Sequence, residues 1–374
     1  AASASAAMAK AVEYARAAAS AHEEGGDRRS GLTAAGVLGR TLLDAGDVEE
    51  AVALLERSIA DADPYPEVRA HLLASLARAY MRLARNEEAV VAADGSLALA
   101  EPLMLDVIVA EALANKAAAL RALGRMVEPR VLLGEAADLA HKAGDYDLEL
   151  RARSNLSVFL SMQDLPAALA MFAESVKLAE RLGSYRDVIG LKANSYRFAV
   201  VEGLDWISPR QGLDELLEEV DDPVAHGNLL TILLDFQLRT DEDASATFAE
   251  LDRLATTHQD HENEALAKLL RAYGLLFEGR PADALAPTRE ALPALTQLRL
   301  FGDYHLLHIG CVLGDVEAVR EAEVSVRTSR HISNVAVATK RAAAAALAAL
   351  EGRSEEALEG FRAASDTLRL AGWL

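Results

Sequence analysis

The motif Gly46-Asp47-Val48-Glu49-Glu50-Ala51-Val52-Ala53-Leu54-Leu55 recurs in variant forms along this chain. The same order of a turn residue, acidic residues, an alanine and large apolar residues returns at Asn86-Glu87-Glu88-Ala89 and Gly352-Arg353-Ser354-Glu355-Glu356-Ala357-Leu358. Similar turns recur roughly every 35 to 40 residues along the 374-residue chain. A fixed period of this length is typical of helical solenoids, in which each unit buries its apolar face against its neighbours. The repeat therefore predicts an all-α fold.

Each unit is predicted to be a pair of antiparallel helices, A and B, joined by a short turn. In the first full unit, helix A is predicted over residues 32–44, where apolar residues recur at the spacing of one helix face. Gly46 suits the left-handed backbone at a helix C-terminus, and Asp47 suits the cap of the next helix. Helix B would then present Ala51 and Leu55 to helix A. Counting the turns predicts about nine pairs, after a leading helix B over residues 7–22.

These spacings resemble the tetratricopeptide repeat. In that family a small residue in helix A is followed twelve positions later by alanine, four further on by a large apolar residue, and three further on by a small one. Gly39, Ala51, Leu55 and Ser58 match this order. Partial or complete matches follow at Ala77, Ala89, Ala93 and Ser96, at Ala168, Phe172 and Ser175, at Ala284, Thr288 and Ala291, and at Ala357, Phe361 and Ala364. Pro129 replaces the alanine of the third unit, which predicts that it lies in the first turn of its helix.

The resemblance implies one right-handed superhelical solenoid over residues 1–374. The units after Asp187, Pro223 and Gly302 match the repeat poorly, and the connection between Glu202 and Asp214 looks lengthened, with Trp206, Ser208 and Pro209 in it. The long, alanine-rich period is similar to the C-terminal repeat arrays of bacterial multidomain nucleotide cyclases and of ATPase-coupled transcription regulators of the maltose-activator type. Both ends of the chain look cut from a longer polypeptide.

Charge and composition narrow the possible partners. The formal net charge is −20, which disfavours binding to a phosphate backbone, so we expect no direct nucleic-acid partner. No run of about 18 apolar residues predicts a membrane span. The single cysteine, Cys311, is compatible with a reducing cytoplasm, and an excess of Arg over Lys is compatible with a bacterial genome rich in G and C.

A ladder of asparagines is the most informative polar pattern. Asn115, Asn155 and Asn194 are 40 and 39 residues apart, so they should occupy equivalent positions in three successive helices A. In tetratricopeptide arrays helix A lines the concave groove, and an amide offers one acceptor and two donors to a peptide backbone. Basic neighbours would favour a ligand that carries carboxylates. The groove residues that we predict are Asn115, Asn155, Asn194, Arg151, Arg197, Lys116 and Lys192.

Other polar residues have plainer interpretations. The asparagines themselves could be scaffold residues, and Trp206 could fill a packing defect or line a groove. The acidic residues between Asp214 and Asp222 alternate with leucines at helical spacing, as on a solvated helix face. Two groups contain residue types that can bind metals, but packing and a solvated loop explain them better, so we expect no metal and no cofactor. They are Asp303, His305, His308 and Cys311, and His258, Asp260, His261, Glu262 and Glu264.

Motifs for catalysis are missing from the sequence. It contains no phosphate-binding Gly-x-x-x-x-Gly-Lys-Ser/Thr loop, no Gly-x-Gly-x-x-Gly, no His-Glu-x-x-His and no Gly-x-Ser-x-Gly. We therefore expect a non-catalytic interaction and sensor module that binds a protein, a peptide or another domain of its own polypeptide. Two alternatives stay open: a small-molecule sensor that controls an attached ATPase, cyclase or DNA-binding domain, and an oligomerisation scaffold.

Overall fold

The computed structural model describes residues 2–125, 127–202, 207–220, 223–240, 242–258, 261–295, 299–329 and 333–370. These residues form nineteen α-helices and no strand, so the all-α prediction is confirmed. None of these helices is long and apolar enough to cross a bilayer. The helices are α1 (Ala2–Glu24), α2 (Arg28–Ala45), α3 (Val48–Asp61), α4 (Pro66–Arg82), α5 (Asn86–Ala100), α6 (Asp106–Ala122), α7 (Glu128–Ala143), α8 (Tyr146–Ser161), α9 (Leu165–Leu182), α10 (Tyr185–Glu202), α11 (Ile207–Glu219), α12 (Pro223–Thr240), α13 (Ser245–His258), α14 (His261–Phe277), α15 (Pro281–Ala291), α16 (Arg299–Leu313), α17 (Val316–Thr328), α18 (Asn334–Leu350) and α19 (Ser354–Leu370).

The order of the helices matches the predicted alternation. Helix α1 is the leading helix B, and α2 to α19 then alternate as helix A and helix B through nine pairs of the described chain. The contacts divide the chain into two compact units, Ala1–Leu156 and Ser157–Leu374, and the boundary falls inside α8. The interpretation of the whole chain as one superhelix stays a prediction.

In each unit the even-numbered helices, which are the helices A, form the inner layer. Helix α4 contacts both α2 and α6 in the first unit, and α12, α14 and α16 each contact the helix A on either side in the second. Among the described residues, successive helices B of one unit make no such contact with each other. Helices A therefore lie closer to one another than helices B do, and the closer layer is on the concave side. Side chains of helices A that point away from helices B face the inside of each unit.

Small residues at the interface let helix A and helix B approach closely. A Cβ atom built on Gly39 of α2 would lie only 2.8 Å from Cδ2 of Leu55 in α3. Leu55 and Ala51 are fully buried there, as the repeat pattern predicts. Gly46 ends α2 with a φ of +96°, in the left-handed region. Pro129 lies in the first turn of α7, where no amide hydrogen is needed, so this prediction is also confirmed.

Three local expectations need correction. Ser208 and Pro209 lie in the first turn of α11 and not in a long connection, because a helix tolerates proline where its amide hydrogens have no partner. Trp206 lies outside the described residues. Phe361 does not pack inside the last pair: 42% of it is exposed, and Gly360 makes the close contact with Ala345 instead. Asp47 precedes α3, but its side chain forms no capping hydrogen bond.

Exchanging Gly39 for alanine should destabilise the first unit by about 1–3 kcal/mol, because Leu55 has no room for the added methyl group. Gly134, in the interior of α7, is a matched control, because a Cβ there meets nothing within 4 Å. Gly134→Ala should stabilise by about 0.5–1 kcal/mol through helix propensity alone. Urea unfolding followed by circular dichroism measures both changes, and equal effects of the two exchanges would contradict the packing argument.

Candidate functional site: polar rows on the inner helices

The asparagine ladder has the register that the sequence predicts. Asn115, Asn155 and Asn194 are each the tenth residue of their helix, in α6, α8 and α10. The three positions are therefore equivalent in successive helices A. Asn115 and Asn155 belong to the first unit and Asn194 to the second.

Asn115 is built into the scaffold. Only 3% of it is exposed, and its Nδ2 donates a hydrogen bond of 2.9 Å to the carbonyl oxygen of Ala74 in α4. This bond joins two neighbouring inner helices, so the amide nitrogen of Asn115 serves the packing of α6 on α4. Its role in ligand binding stays a prediction.

Asn155 and Asn194 are more accessible. Asn155 is exposed and Asn194 is half-buried. The described residues supply no hydrogen-bond partner to either amide side chain within 3.5 Å. Their donors and acceptors are therefore open to a ligand on the inner layer of each unit.

The two lysines of the predicted groove point toward helices B. Nζ of Lys116 lies 2.6 Å from Oδ1 of Asp94 in α5, and Nζ of Lys192 lies 3.3 Å from Oε1 of Glu180 in α9. Each ammonium group thus forms an ion pair with the preceding helix B. A ligand on the inner layer would have to compete with these carboxylates for the lysines.

The two arginines lie on the inner layer and are half-buried. Nη2 of Arg151 is 4.0 Å from Oε1 of Glu111 in α6, and Nη2 of Arg197 donates to Oγ1 of Thr231 in α12 at 3.4 Å. Burial lowers the pKa of both guanidinium groups, and Glu111 opposes this shift at Arg151. Arginine nevertheless stays charged in proteins, so both groups present a fixed positive charge.

A second polar row includes Arg151, which the sequence predicts as a groove residue, and also His71, which it does not. His71, Glu111 and Arg151 are each the sixth residue of their helix, in α4, α6 and α8, and they are spaced 40 residues apart. Burial lowers the pKa of His71, the charge of Arg40 in α2 lowers it further, and the charge of Glu111 raises it. Gly36 makes room for the imidazole, because a Cβ at that position would lie 3.1 Å from Nδ1 of His71. The constant spacing of the row is visible in the sequence once the repeats are aligned.

The candidate metal ligands of α16 take part in packing. Oδ1 of Asp303 accepts from Arg299 and Oδ2 from Ser325, at 2.9 and 2.7 Å. Nδ1 of His305 lies 2.8 Å from the carbonyl oxygen of Phe301. His308 contacts Tyr273 of α14 through Nδ1 and the phenol oxygen, 3.3 Å apart, and burial lowers the pKa of His308. Over the part of the chain that the structure describes, no three His, Cys, Asp or Glu side chains are placed to hold a metal ion.

The other two polar groups lie at helix ends. His258 ends α13, and His261, Glu262 and Glu264 belong to α14, so these four residues lie in helices and not in the expected loop, and Asp260 lies outside the described residues. In α11 the acidic residues Asp214, Glu215, Glu218 and Glu219 are exposed, whereas Leu213 and Leu216 are buried. The described part of the acidic run is therefore a solvated helix face, as predicted.

Comparison with known proteins supports the fold. No family model and no curated protein matches the sequence. An IFIT1 monomeric mutant with m7Gppp-AAAA superposes with a TM-score of 0.50 and 11% identity over 90% of this chain and 77% of that chain. A second structure of IFIT1, with Gppp-AAAA, gives 0.49 and 12% over the same shares, and the P58(IPK) TPR domain gives 0.25 and 13% over 89% of this chain and 94% of that one. The superposition with a TM-score of 0.50 is a likeness of fold alone, and it agrees with an all-α array of helix pairs.

Asn115→Ala should destabilise the chain by about 1–3 kcal/mol, because the carbonyl of Ala74 loses its buried donor. Asn155→Ala removes an exposed amide and should change the free energy of unfolding by no more than about 0.5 kcal/mol. Denaturant melts of the two variants test the division of the ladder into scaffold and free positions. Similar losses at both positions would show that Asn155 is also structural.

Proposed function

We propose that this chain is a non-catalytic interaction and regulatory sensor module that binds a protein or peptide ligand on its inner helices. The observation that supports this most is the set of polar side chains that repeat on helices A without being used by the scaffold. Asn155 and Asn194 carry amides with no partner among the described residues, and Arg151 and Arg197 lie beside them on the same helices.

The chemistry of these positions suits an extended peptide. An amide side chain can accept from one backbone N–H and donate to backbone carbonyls, so each unit offers such an amide to a peptide main chain. The two guanidinium groups add fork-shaped donors that pair well with carboxylates. A peptide with acidic side chains is therefore the ligand that we favour.

Catalysis is not part of the proposal. The sequence has no nucleotide-binding or hydrolase motif, and the exposed acidic row of α11 faces solvent, where general acid–base chemistry gains little. We also propose no nucleic-acid partner, although the IFIT1 structures are with Gppp-AAAA and m7Gppp-AAAA. The net charge of −20 opposes the approach of a polyphosphate.

The similarity of the sequence to repeat arrays of bacterial signalling proteins suggests where such a module would act. In this proposal the array belongs to a bacterial cytoplasmic protein, and ligand binding on the inner helices controls an attached domain in signal transduction or transcription regulation. One observation favours a small-molecule ligand as a second candidate: Arg151 and Glu111 bring a guanidinium and a carboxylate to 4.0 Å from each other on inner helices of the first unit.

Peptides selected on the full chain from a displayed random library provide the test. We expect the selected peptides to be rich in Asp and Glu, and to lose at least about tenfold in affinity with Asn155→Ala or Asn194→Ala, because an unpaired peptide group loses roughly 1.4 kcal/mol or more. Val131→Ala, at an exposed position of α7, is the control and should bind normally. Undiminished binding to both asparagine variants, measured by calorimetry, would reject the inner layer as the ligand surface.

A further inference from the structure

The turn between α5 and α6 combines exposed apolar side chains with an unfavourable backbone. Residues 101–107 form this turn and the start of α6, and all of them except Leu105 are exposed. Met104 is 84% exposed, Leu103 44% and Val107 39%. We call these three apolar side chains, together with the carboxylates at positions 101 and 106, the α5–α6 edge.

The backbone at Met104 has the conformation that glycine supplies elsewhere in the chain. Its φ is +52°, in the left-handed region, where a side chain crowds its own backbone. The N–H of Met104 donates to the carbonyl of Glu101, and the N–H of the following residue donates to the carbonyl of Ala100. The same pair of bonds, reaching three and five residues back, follows α2 at Gly46 and α7 at Gly144. A glycine at position 104 would therefore suit the turn better than methionine does.

Packing does not compensate for the strain at Met104. Most of this side chain is in solvent, so it gains little from burial of apolar surface. Residues in strained backbone conformations persist mainly at sites that serve a function. Methionine is also common on protein-binding surfaces, because its flexible and polarisable side chain adapts to a partner. These observations indicate that another molecule covers Met104.

The carboxylates of the α5–α6 edge have no basic partner within the described chain. Neither Glu101 nor Asp106 forms an ion pair with a described residue, whereas Asp63, in the preceding turn from helix B to helix A, pairs with Arg69. Glu101 is also the C-cap of α5, where the helix dipole disfavours a negative charge. The edge thus offers apolar contacts together with two uncompensated negative charges.

The next turn on the same side has a similar character. Turns from helix B to helix A all lie at one end of the antiparallel pairs, so the start of α8 lies on this side of the first unit. Tyr146 begins α8 and is 43% exposed, and Asp147 after it is exposed as well. Residues 101–107 and 142–147 contain four carboxylates and one basic residue, Lys142. This side of the unit is therefore acidic as well as apolar.

We propose that the α5–α6 edge docks a basic amphipathic helix of a partner protein. Its apolar side chains would contact Leu103, Met104 and Val107, and its Lys or Arg side chains would lie beside Glu101 and Asp106. A second copy of this chain fits less well, because each copy carries a net charge of −20 and the two acidic edges would repel each other. The edge uses none of the inner-layer residues, so the inference goes beyond the proposed function and is independent of it.

A displayed library of short helix-forming peptides tests this assignment. Peptides are selected on the full chain and then depleted on its Met104→Gly variant. We expect the surviving peptides to carry apolar residues on one helix face, with an excess of Lys and Arg beside it. In calorimetry the synthesised peptides should lose at least about tenfold in affinity with Met104→Gly, because the central apolar contact is removed. If no peptide survives the depletion, or if the survivors lack the basic residues, the proposal is overturned.

Salt dependence tests the electrostatic part of the proposal. Added NaCl should weaken binding of the surviving peptides to the unchanged chain, because the ion pairs at this exposed edge are screened. Glu101→Gln should weaken binding at low salt by about threefold or more and should reduce the salt dependence. Binding that is insensitive to salt, or equal salt dependence of both proteins, would overturn the assignment of a basic partner.

Ala84→Gly is the matched control for folding. Ala84 is exposed, has a φ of +57° and follows α4 with the same two hydrogen bonds. Both glycine exchanges should keep or raise the melting temperature, since glycine adopts this backbone without strain, but only Met104→Gly should weaken the peptides. A melting temperature that falls with Met104→Gly and not with Ala84→Gly would assign the methionine to the scaffold and overturn the inference.

Further outcomes distinguish other occupants and the proposed function. If the basic peptides depend on Asn155 and not on Met104, they bind the inner layer and this inference is overturned. If sedimentation shows a dimer that Met104→Gly dissociates, the occupant is a second copy and the assignment to a basic partner is wrong. If acidic peptides ignore Asn155 and Asn194 while basic peptides depend on Met104, the proposed function is wrong and the docking edge stands.

Discussion

The close contact between a small residue on one helix of a pair and an apolar residue on the other controls the rest of this structure. At Gly39 and Leu55 the two helices leave no space for a methyl group, and the same is true at Gly310 and Val319. Such contacts fix the distance within each pair, so the pairs stack through their helices A. The side chains that face inward from helices A do not pack against helix B of the same pair. The polar rows lie on this inner surface.

The pairs could be predicted from the sequence because their determinants are local. Gly46 needs a left-handed backbone, Pro129 needs a first helical turn, and the spacing of Ala51 and Leu55 follows from the helix period. The units after Asp187, Pro223 and Gly302 match the repeat pattern poorly. Gly310 and Ala322 nevertheless keep the twelve-residue spacing, and Ala322 is fully buried. Packing conserves the spacing of small residues even where the turn chemistry differs.

For the candidate site, the sequence predicts which positions of successive repeats are equivalent, but it does not predict how exposed each side chain is. That Asn115, Asn155 and Asn194 are equivalent follows from the repeat length, but their unequal exposure does not. Burial of Asn115 depends on how closely α6 approaches α4, which is a tertiary distance that no local pattern encodes. The row of His71, Glu111 and Arg151 was predicted only at Arg151, for another reason. Its members share a position but not a residue type, so a search for similarity between repeats passes over them.

The nearest-neighbour pattern of helix contacts has a consequence for how the chain acquires its structure. Among the described residues, most contacts between helices of one unit join a helix to the next or to the next but one, so they are local in sequence. Local contacts form with little loss of chain entropy, which favours rapid formation of each pair. Nucleation can start at any pair and spread in both directions. The hydrogen bond of 3.2 Å from Nδ2 of Asn334 to the carbonyl oxygen of Gln163 joins residues 171 positions apart, so it forms only after the intervening helices are in place.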